Sequence, residues 1–273
     1  MKLDQVRAII TGGASGMGKA AAEAIVAAGG KVCIVDYYQD RCEEMAAALG
    51  DAVYCECADV SNTAIAEKIV GGAVEKFGHL NVVMNCAGVG SGNRILPKGG
   101  GVYPIDEFKR VIDINLIGTF NYVSYGARAI SEAPENDDGE RGVIINTTSQ
   151  AYSHGQIGQV AYSASKGGVE ALTIPIAREL ARFGIRINTI CPALVDTNMI
   201  RVEGMGEQAK APVRILPPGM KDLSEVAKDH FIFPRRQGYP SEFASLAMEL
   251  IRNTLLNGGS YQLDGAMRFG PKF

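Results

Sequence analysis

Val6-Arg7-Ala8-Ile9-Ile10-Thr11-Gly12-Gly13-Ala14-Ser15-Gly16-Met17-Gly18 is the stretch on which the fold turns. A short apolar, β-branched run meets a cluster of glycines, and an alanine-rich stretch from Lys19 to Ala28 follows and stops at Gly29-Gly30. Strand, tight turn, helix and glycine cap are the local reading. A second strand covers Lys31 to Val35 and ends on Asp36. Outward from there, helices are expected at 41–49, 61–77, 105–131, 160–183 and 241–252, and strands at 52–57, 81–84, 143–147, 185–190 and near 261–263. Strands that alternate with helices form βαβ units, so the expected fold is α/β: a doubly wound parallel sheet with helices on both faces. Between Asp196 and Pro240 the alternation breaks, with prolines at 212, 217, 218 and 234 and glycines at 204, 206 and 219. This segment reads as an insertion, an expected substrate lid in one domain over residues 1–273.

Composition narrows the partners. The 273 residues carry a formal net charge of −3, with no basic surplus to neutralise phosphates, so nucleic acid is not an expected partner. The acidic run 135–140 sits among Pro134, Asn136 and Gly139 and reads as a solvated turn. No export or import signal precedes the first strand, and no stretch approaches the roughly 20 apolar residues that cross a bilayer. A soluble cytoplasmic protein is expected. Six cysteines, at 33, 42, 55, 57, 86 and 191, lack paired spacing and mostly sit in apolar strand contexts, as small buried hydrophobes do. Cys55 and Cys57 have no neighbouring histidines or CxxC partners, so no metal site is assigned.

The glycine turn carries chemistry through its position. Gly12, Gly16 and Gly18 let the backbone turn sharply and approach a pyrophosphate, whose charge is favoured by the N–H groups of Ser15, Gly16 and Met17 at a helix start. Alone, such a turn is equally a structural feature. Asp36, closing the next strand 18 residues after Gly18, makes it a dinucleotide site. A carboxylate there accepts both hydroxyls of an adenosine ribose and repels a 2′-phosphate, and the nearby Ser15 and Tyr37 are neutral. NAD is therefore expected over NADP.

Ser149 follows the 143–147 strand, at the carboxyl end of the sheet where ligands of open α/β sheets bind. Tyr162 and Lys166 are four residues apart on a helix and share a face. Taken alone, that pair is also how an ordinary surface tyrosine and lysine read. A free tyrosine titrates near 10, too high for proton exchange at neutral pH. A nearby ammonium and a cationic nicotinamide both favour phenolate, and a fall of about three units requires roughly 4 kcal/mol, within reach of two close charges in a partly dry cleft. Tyr162 is thus the candidate acid/base of a hydride transfer between a secondary alcohol and its ketone, Ser149 the group that holds the substrate oxygen, and Lys166 a partner that also holds the nicotinamide ribose.

Thr11 to Gly18, Asp36, Asp59-Val60, Asn85-Cys86-Ala87-Gly88, Asn115, Ser149 and Tyr162-Ser163-Ala164-Ser165-Lys166 together resemble the short-chain dehydrogenase/reductase family over nearly the whole chain. The resemblance implies a Rossmann-type fold, a dimer or tetramer, and catalytic Asn115, Ser149, Tyr162 and Lys166, with Asn115 holding a water that links Lys166 to solvent. It also implies that Asp59 and Val60 border the adenine, that Asn85, Cys86, Ala87 and Gly88 line the cofactor groove, and that Pro192, Val195 and Thr197 cover the nicotinamide carboxamide. Cys86 stands where a second Asn is commoner, and Ala193 where a Gly is usual.

Within the family, Gly155-Gln156-Ile157-Gly158-Gln159, the 172–178 and 233–236 segments, Leu256-Asn257-Gly258-Gly259 and the 263–268 segment resemble the short-chain type II 3-hydroxyacyl-CoA dehydrogenases, the 17β-hydroxysteroid dehydrogenase type 10-like group. That likeness implies a homotetramer acting on a CoA ester, with Gln156 facing the substrate carbonyl. The 201–216 region is longer than in that group, and His154, Met199 and Met205 are candidates for its pocket or for plain loop and core roles. A hydroxysteroid or small cyclic or aryl alcohol is the alternative substrate. A non-catalytic NAD sensor or a scaffold is the alternative of another class, against which the intact Asn115, Ser149, Tyr162 and Lys166 set argues.

Overall fold

The computed structural model describes residues 1–197 and 224–271. Seven strands form one sheet in the order β3-β2-β1-β4-β5-β6-β7, and every pairing is parallel. The strands are β1 (Arg7–Thr11), β2 (Lys31–Asp36), β3 (Val53–Cys57), β4 (Val82–Asn85), β5 (Gly142–Thr147), β6 (Ile185–Pro192) and β7 (Ser260–Leu263). The helices are α1 (Gly16–Ala27), α2 (Gln39–Leu49), α3 (Thr63–Phe77), α4 (Ile105–Ile112), α5 (Gly118–Ser131), α6 (Val160–Leu180), α7 (Ser224–His230) and α8 (Pro240–Arg252). This is the expected doubly wound, Rossmann-type sheet. No helix among the described residues is long and apolar enough to cross a membrane.

Both faces of the sheet are covered because successive strand residues point to opposite sides. Ala8, Ile10, Val32, Ile34, Val82, Met84, Val143 and Ile145 join the apolar side chains of α1 and α8 in one cluster. Their neighbours Ile9, Cys33, Val35, Val83 and Ile144 join α3 and α5 in the other. A strand buried on both sides reads as a continuous apolar run rather than an alternating one, which is the pattern the sequence carries.

Local signals set the helix ends. Asn62 caps α3 by accepting from Ile65 N at 3.1 Å, and Gly78 closes that helix in the left-handed region at φ +82°. The helix expected over 105–131 is interrupted: a π-turn at Asp113–Ile117 joins α4 to α5. Such turns insert one residue into the helical ladder and recur at functional sites. This one holds Asn115.

At the amino end of the sheet Arg186 is buried and bonded to Glu140 at 2.6 and 2.8 Å, and it donates to the carbonyls of Leu250, Ile251 and Leu256. The charge is thus fully paired, and it ties β6 to the end of α8. The order β2-β1-β4 reverses the direction of winding at β1. Ligands of such sheets bind at that reversal, outside the carboxyl ends of the strands. Thr11, Asp36, Asn85, Thr147 and Pro192 stand at those ends.

Candidate active site

The glycine turn after β1 lies directly on the segment after β4. Gly12 has φ +63°, and a Cβ there would stand 2.8 Å from Ala87 N and Cα, so a side chain is excluded on both grounds. A Cβ on Gly18 would stand 2.3 Å from Gly12 O. The turn is therefore a bare backbone floor. Ser15 precedes α1 without making a side-chain capping bond. An uncapped helix start beside a floor without side chains fits a pyrophosphate.

Asp36 is buried, and both its oxygens receive backbone N–H groups, Oδ2 from Ala14 at 3.1 Å and Oδ1 from Tyr38 at 3.3 Å. The carboxylate thus organises the glycine turn. Arg41, not singled out in the sequence, stacks on the Tyr38 ring at 4.3 Å and lines an open groove of about 860 Å³ with Ser15, Gly16, Lys19 and Thr197.

The expected cofactor-side residues divide. Cys86, Ala87 and Gly88 form the floor beside the turn, with Ala87 N donating to Thr11 Oγ1 at 3.3 Å. Asn85 is one layer beneath, buried, with its carboxamide bonded to Thr11 and Asn146. Asp59 is exposed after β3 and accepts from Ser61, while Val60 is buried against Gly118. Burial pushes the Cys86 thiol up to about 11.

Ser149, Tyr162 and Gln156 line one cleft of about 670 Å³, mouth included, with Met17 and with Pro192, Val195 and Thr197 on the side facing α1. Ser149 follows β5 and caps a short turn, accepting from Ala151 N at 3.2 Å. The loop 153–159 passes so close to α6 that a Cβ on Gly155 would stand 2.3 Å from Ser163 Oγ. That contact holds the Gln156 loop against the turn bearing Tyr162.

Lys166, one turn below Tyr162, is buried. Its Nζ donates to Thr147 O at 2.8 Å and lies 5.9 Å from the Tyr162 ring centroid. Burial holds its ammonium down at about 8. The Tyr162 phenol is raised above its ordinary value by burial, and a hydrogen bond with the Ser149 hydroxyl pulls it back down. The lowering expected for Tyr162 is therefore not what the chain by itself produces, because desolvation disfavours the phenolate more than the neighbouring groups favour it.

Asn115 sits in the π-turn. Its carboxamide closes on the backbone of Val89, Oδ1 accepting from N at 2.8 Å and Nδ2 donating to O at 2.9 Å, and Nδ2 also donates to Ser165 Oγ at 3.0 Å. The side chain is a clamp. Its main-chain carbonyl accepts from Thr119 Oγ1 at 2.8 Å and keeps a second lone pair, where a water could be held as expected.

The cleft has a wall that the sequence reading did not assign. Gln150 donates to Asp264 Oδ2 at 2.8 Å and to Met267 O, Ile157 N donates to Pro271 O at 3.0 Å, and Gln156 Nε2 reaches Gly270 O at 3.4 Å. These bonds fasten the 264–271 tail against the Ser149 turn and bring Phe269 into the lining. Ser91 and Leu194 complete it and were likewise missed. His154 is exposed and bonded to Ser153. Met199, Met205 and most of the expected lid lie outside the described residues.

Comparison with known proteins agrees with this geometry. A family model described as short chain dehydrogenase matches residues 6–207. The 3-hydroxyacyl-CoA dehydrogenase type-2 of Drosophila melanogaster is 39% identical over 264 residues, 96% of this chain and 97% of that protein. The crystal structure of 3-hydroxyacyl-CoA dehydrogenase type-2 from Mycobacterium avium superposes with a TM-score of 0.84 at 34% identity, over 97% of this chain and 96% of that one. A 3-ketoacyl-(acyl-carrier-protein) reductase from Brucella melitensis, complexed with NADH, gives a TM-score of 0.79 at 25% identity, over 95% and 96%.

Proposed function

The chain belongs to the short-chain dehydrogenase family, and from that premise we propose that it is an NAD-dependent oxidoreductase interconverting a 3-hydroxyacyl-CoA and its 3-oxo form. The observation that carries this reading is the Ser149–Tyr162 pair facing one cleft at the carboxyl end of the sheet, with Lys166 beneath and the bare glycine turn alongside.

NAD, when bound, supplies the hydride acceptor for oxidation and, as NADH, the donor for reduction. The chain supplies the rest. Asp36 takes the adenosine ribose, and the free N–H groups at the start of α1 take the pyrophosphate. Two of the three Lys166 ammonium protons are left after Thr147 O is satisfied, and they hold the second ribose. Pro192, Val195 and Thr197 bound the nicotinamide side. In oxidation the Tyr162 oxygen takes the carbinol proton while Ser149 donates to the same substrate oxygen. In reduction Tyr162 gives the proton back. The thioester assignment rests on the similarity to the two type-2 enzymes, whose names specify that substrate.

Reduction of acetoacetyl-CoA by NADH, followed at the nicotinamide absorbance, tests the reading. Turnover with NADH preferred over NADPH supports it. Inactivity on every CoA ester alongside turnover of a ketosteroid or a small cyclic ketone would transfer the assignment to those substrates. Exposed apolar side chains on α5 and α6, among them Phe120, Val160 and Ile174, support self-association. A homotetramer is the assembly proposed, and a monomer by light scattering at micromolar concentration would remove it.

A further inference from the structure

The cleft contains a hydroxyl that has no role in the scheme above. Ser91 is 3% exposed, its Oγ has no hydrogen-bond partner among the described residues, and it lines the same cleft as Ser149 and Tyr162. A buried hydroxyl left unpaired is destabilising, and such groups are few in native proteins. This one is also held in place. Asn115 clamps Val89 from both its N–H and its carbonyl, and Gly92, on the other side of Ser91, lies 3.5 Å from a Cβ built on Gly158. The backbone leading to Ser91 is therefore held at Val89, two residues before it.

Ser91 comes from the loop after β4, and Ser149 from the turn after the neighbouring β5. In the scheme above Ser149 and Tyr162 take both lone pairs of the reacting carbonyl oxygen, so a ligand that also satisfies Ser91 must present a second oxygen. Charge narrows the kind of oxygen: among the described residues lining the cleft there is no Lys, Arg, Asp or Glu. A carboxylate there would be desolvated without a counter-ion, whereas a ketone, ester or thioester carbonyl needs only a donor.

We propose that Ser91 is a specificity-determining residue whose hydroxyl donates to a second, neutral carbonyl of a β-oxo or β-hydroxy acyl substrate, at a position two carbons from the reacting centre. This rests on the dehydrogenase reading, and it goes beyond it by assigning a substrate contact to a residue outside the Ser149, Tyr162 and Gln156 set. It also gives the Asn115 clamp a purpose, since that clamp holds the backbone leading to Ser91.

The test compares wild type and Ser91→Ala in NADH-dependent reduction of acetoacetyl-CoA, ethyl acetoacetate and cyclohexanone, together with thermal unfolding of both proteins. The ratio of kcat/KM for either β-oxo compound to that for cyclohexanone should fall about tenfold, the change expected for one hydrogen bond. The melting temperature should hold or rise, because the serine hydroxyl has no partner to lose. Losses of equal size on all three substrates, an unchanged ratio, or a fall in melting temperature that tracks the loss would overturn the proposal. If wild type reduces ethyl acetoacetate but not acetoacetyl-CoA, the thioester assignment fails, and the ester-to-cyclohexanone ratio still decides on Ser91. Wild type inactive on all three removes the β-oxoacyl substrate reading, and the proposal with it.

Discussion

Replacing Lys166 with methionine keeps all but the last atom of the side chain's length and removes the buried charge, so it tests what that charge does to the fold. Burial holds the ammonium at about 8 against an ordinary 10.5. At about 1.4 kcal/mol per unit, the charged form is disfavoured in the folded state by about 3 kcal/mol. The unfolded chain keeps this proton more tightly than the folded one. Raising the pH from 8 to 10.5 therefore removes the penalty, and the contribution of Lys166 to stability rises across that window. Urea unfolding of wild type and Lys166→Met should be compared at pH 7 and pH 10. The buried thiols Cys86 and Cys191, pushed up to about 11, act in the opposite sense as the pH rises, but they are common to both proteins and cancel to first order in the difference. Wild type should gain about 2–3 kcal/mol on the variant between the two pH values. A difference that stays flat within about 0.5 kcal/mol would refute the buried, depressed ammonium, and with it the argument that Lys166 waits for ribose hydroxyls as ligands. The same variant should lack dehydrogenase turnover, so the activity loss and the stability change are read on one protein.

Four further outcomes follow from particular contacts. The Ser149 hydrogen bond lowers the Tyr162 phenol, so Ser149→Ala should move the rise of kcat/KM for alcohol oxidation to higher pH; a profile shifted to lower pH, or not shifted, would remove that bond from the mechanism. Asp36→Ala deletes the carboxylate that orders the turn through Ala14 and Tyr38 and exposes a groove containing Arg41. Its kcat/KM ratio for NADPH over NADH should rise at least about tenfold, whereas a constant ratio would place cofactor choice elsewhere. Gly18→Ala drives a methyl to within 2.3 Å of Gly12 O, and calorimetry should show a loss of about 1–3 kcal/mol despite the better helix propensity of alanine. Glu140→Gln leaves the Arg186 guanidinium buried without a counter-charge; denaturant unfolding should register about 3–5 kcal/mol lost, and an unaffected midpoint would show that the carbonyls of Leu250, Ile251 and Leu256 suffice.

The sheet was legible because its strands are short apolar runs between helical stretches, each bounded by glycine or a polar residue, and that pattern is local. Asp36 was legible for the same reason, since a strand end and a fixed interval after the turn place it. Ser149, Tyr162 and Lys166 could be read as one constellation because a strand end and a helical turn govern them. The π-turn at 113–117 was not, since nothing in Asp113-Ile114-Asn115-Leu116-Ile117 marks an extra residue in a helical ladder. The Asn115 clamp depends on that turn, and on Val89 from a loop 26 residues earlier. Ser91 was invisible because a serine in a glycine-rich loop announces solvent, and only the packing of the other loops around it buries its hydroxyl. Phe269 depends on bonds between Gln150 and the tail over an interval of more than a hundred residues. Arg41 was not legible because it lies inside α2, and only the packing of that helix beside the glycine turn brings it to the same groove.

The two titratable groups of the site are moved apart by one cause. Desolvation raises the Tyr162 phenol and lowers the Lys166 amine, so a proton passed from one to the other would create two charges where the cleft solvates charge poorly. In water the two groups titrate within about half a unit of each other, and the transfer is nearly even. In this cleft it is uphill. The Ser149 hydrogen bond offsets part of the difference on the phenol, and the Thr147 carbonyl steadies the ammonium. A further positive charge above the tyrosine would supply the remainder, which is what an oxidised nicotinamide brings when it binds. With Tyr162 as the proposed acid/base, its proton exchange would then be coupled to occupancy of the cofactor groove, and an alcohol that arrived before a hydride acceptor would not be acted on. On this account burial, which raises the intrinsic barrier, is also what makes the site selective for the order of its ligands.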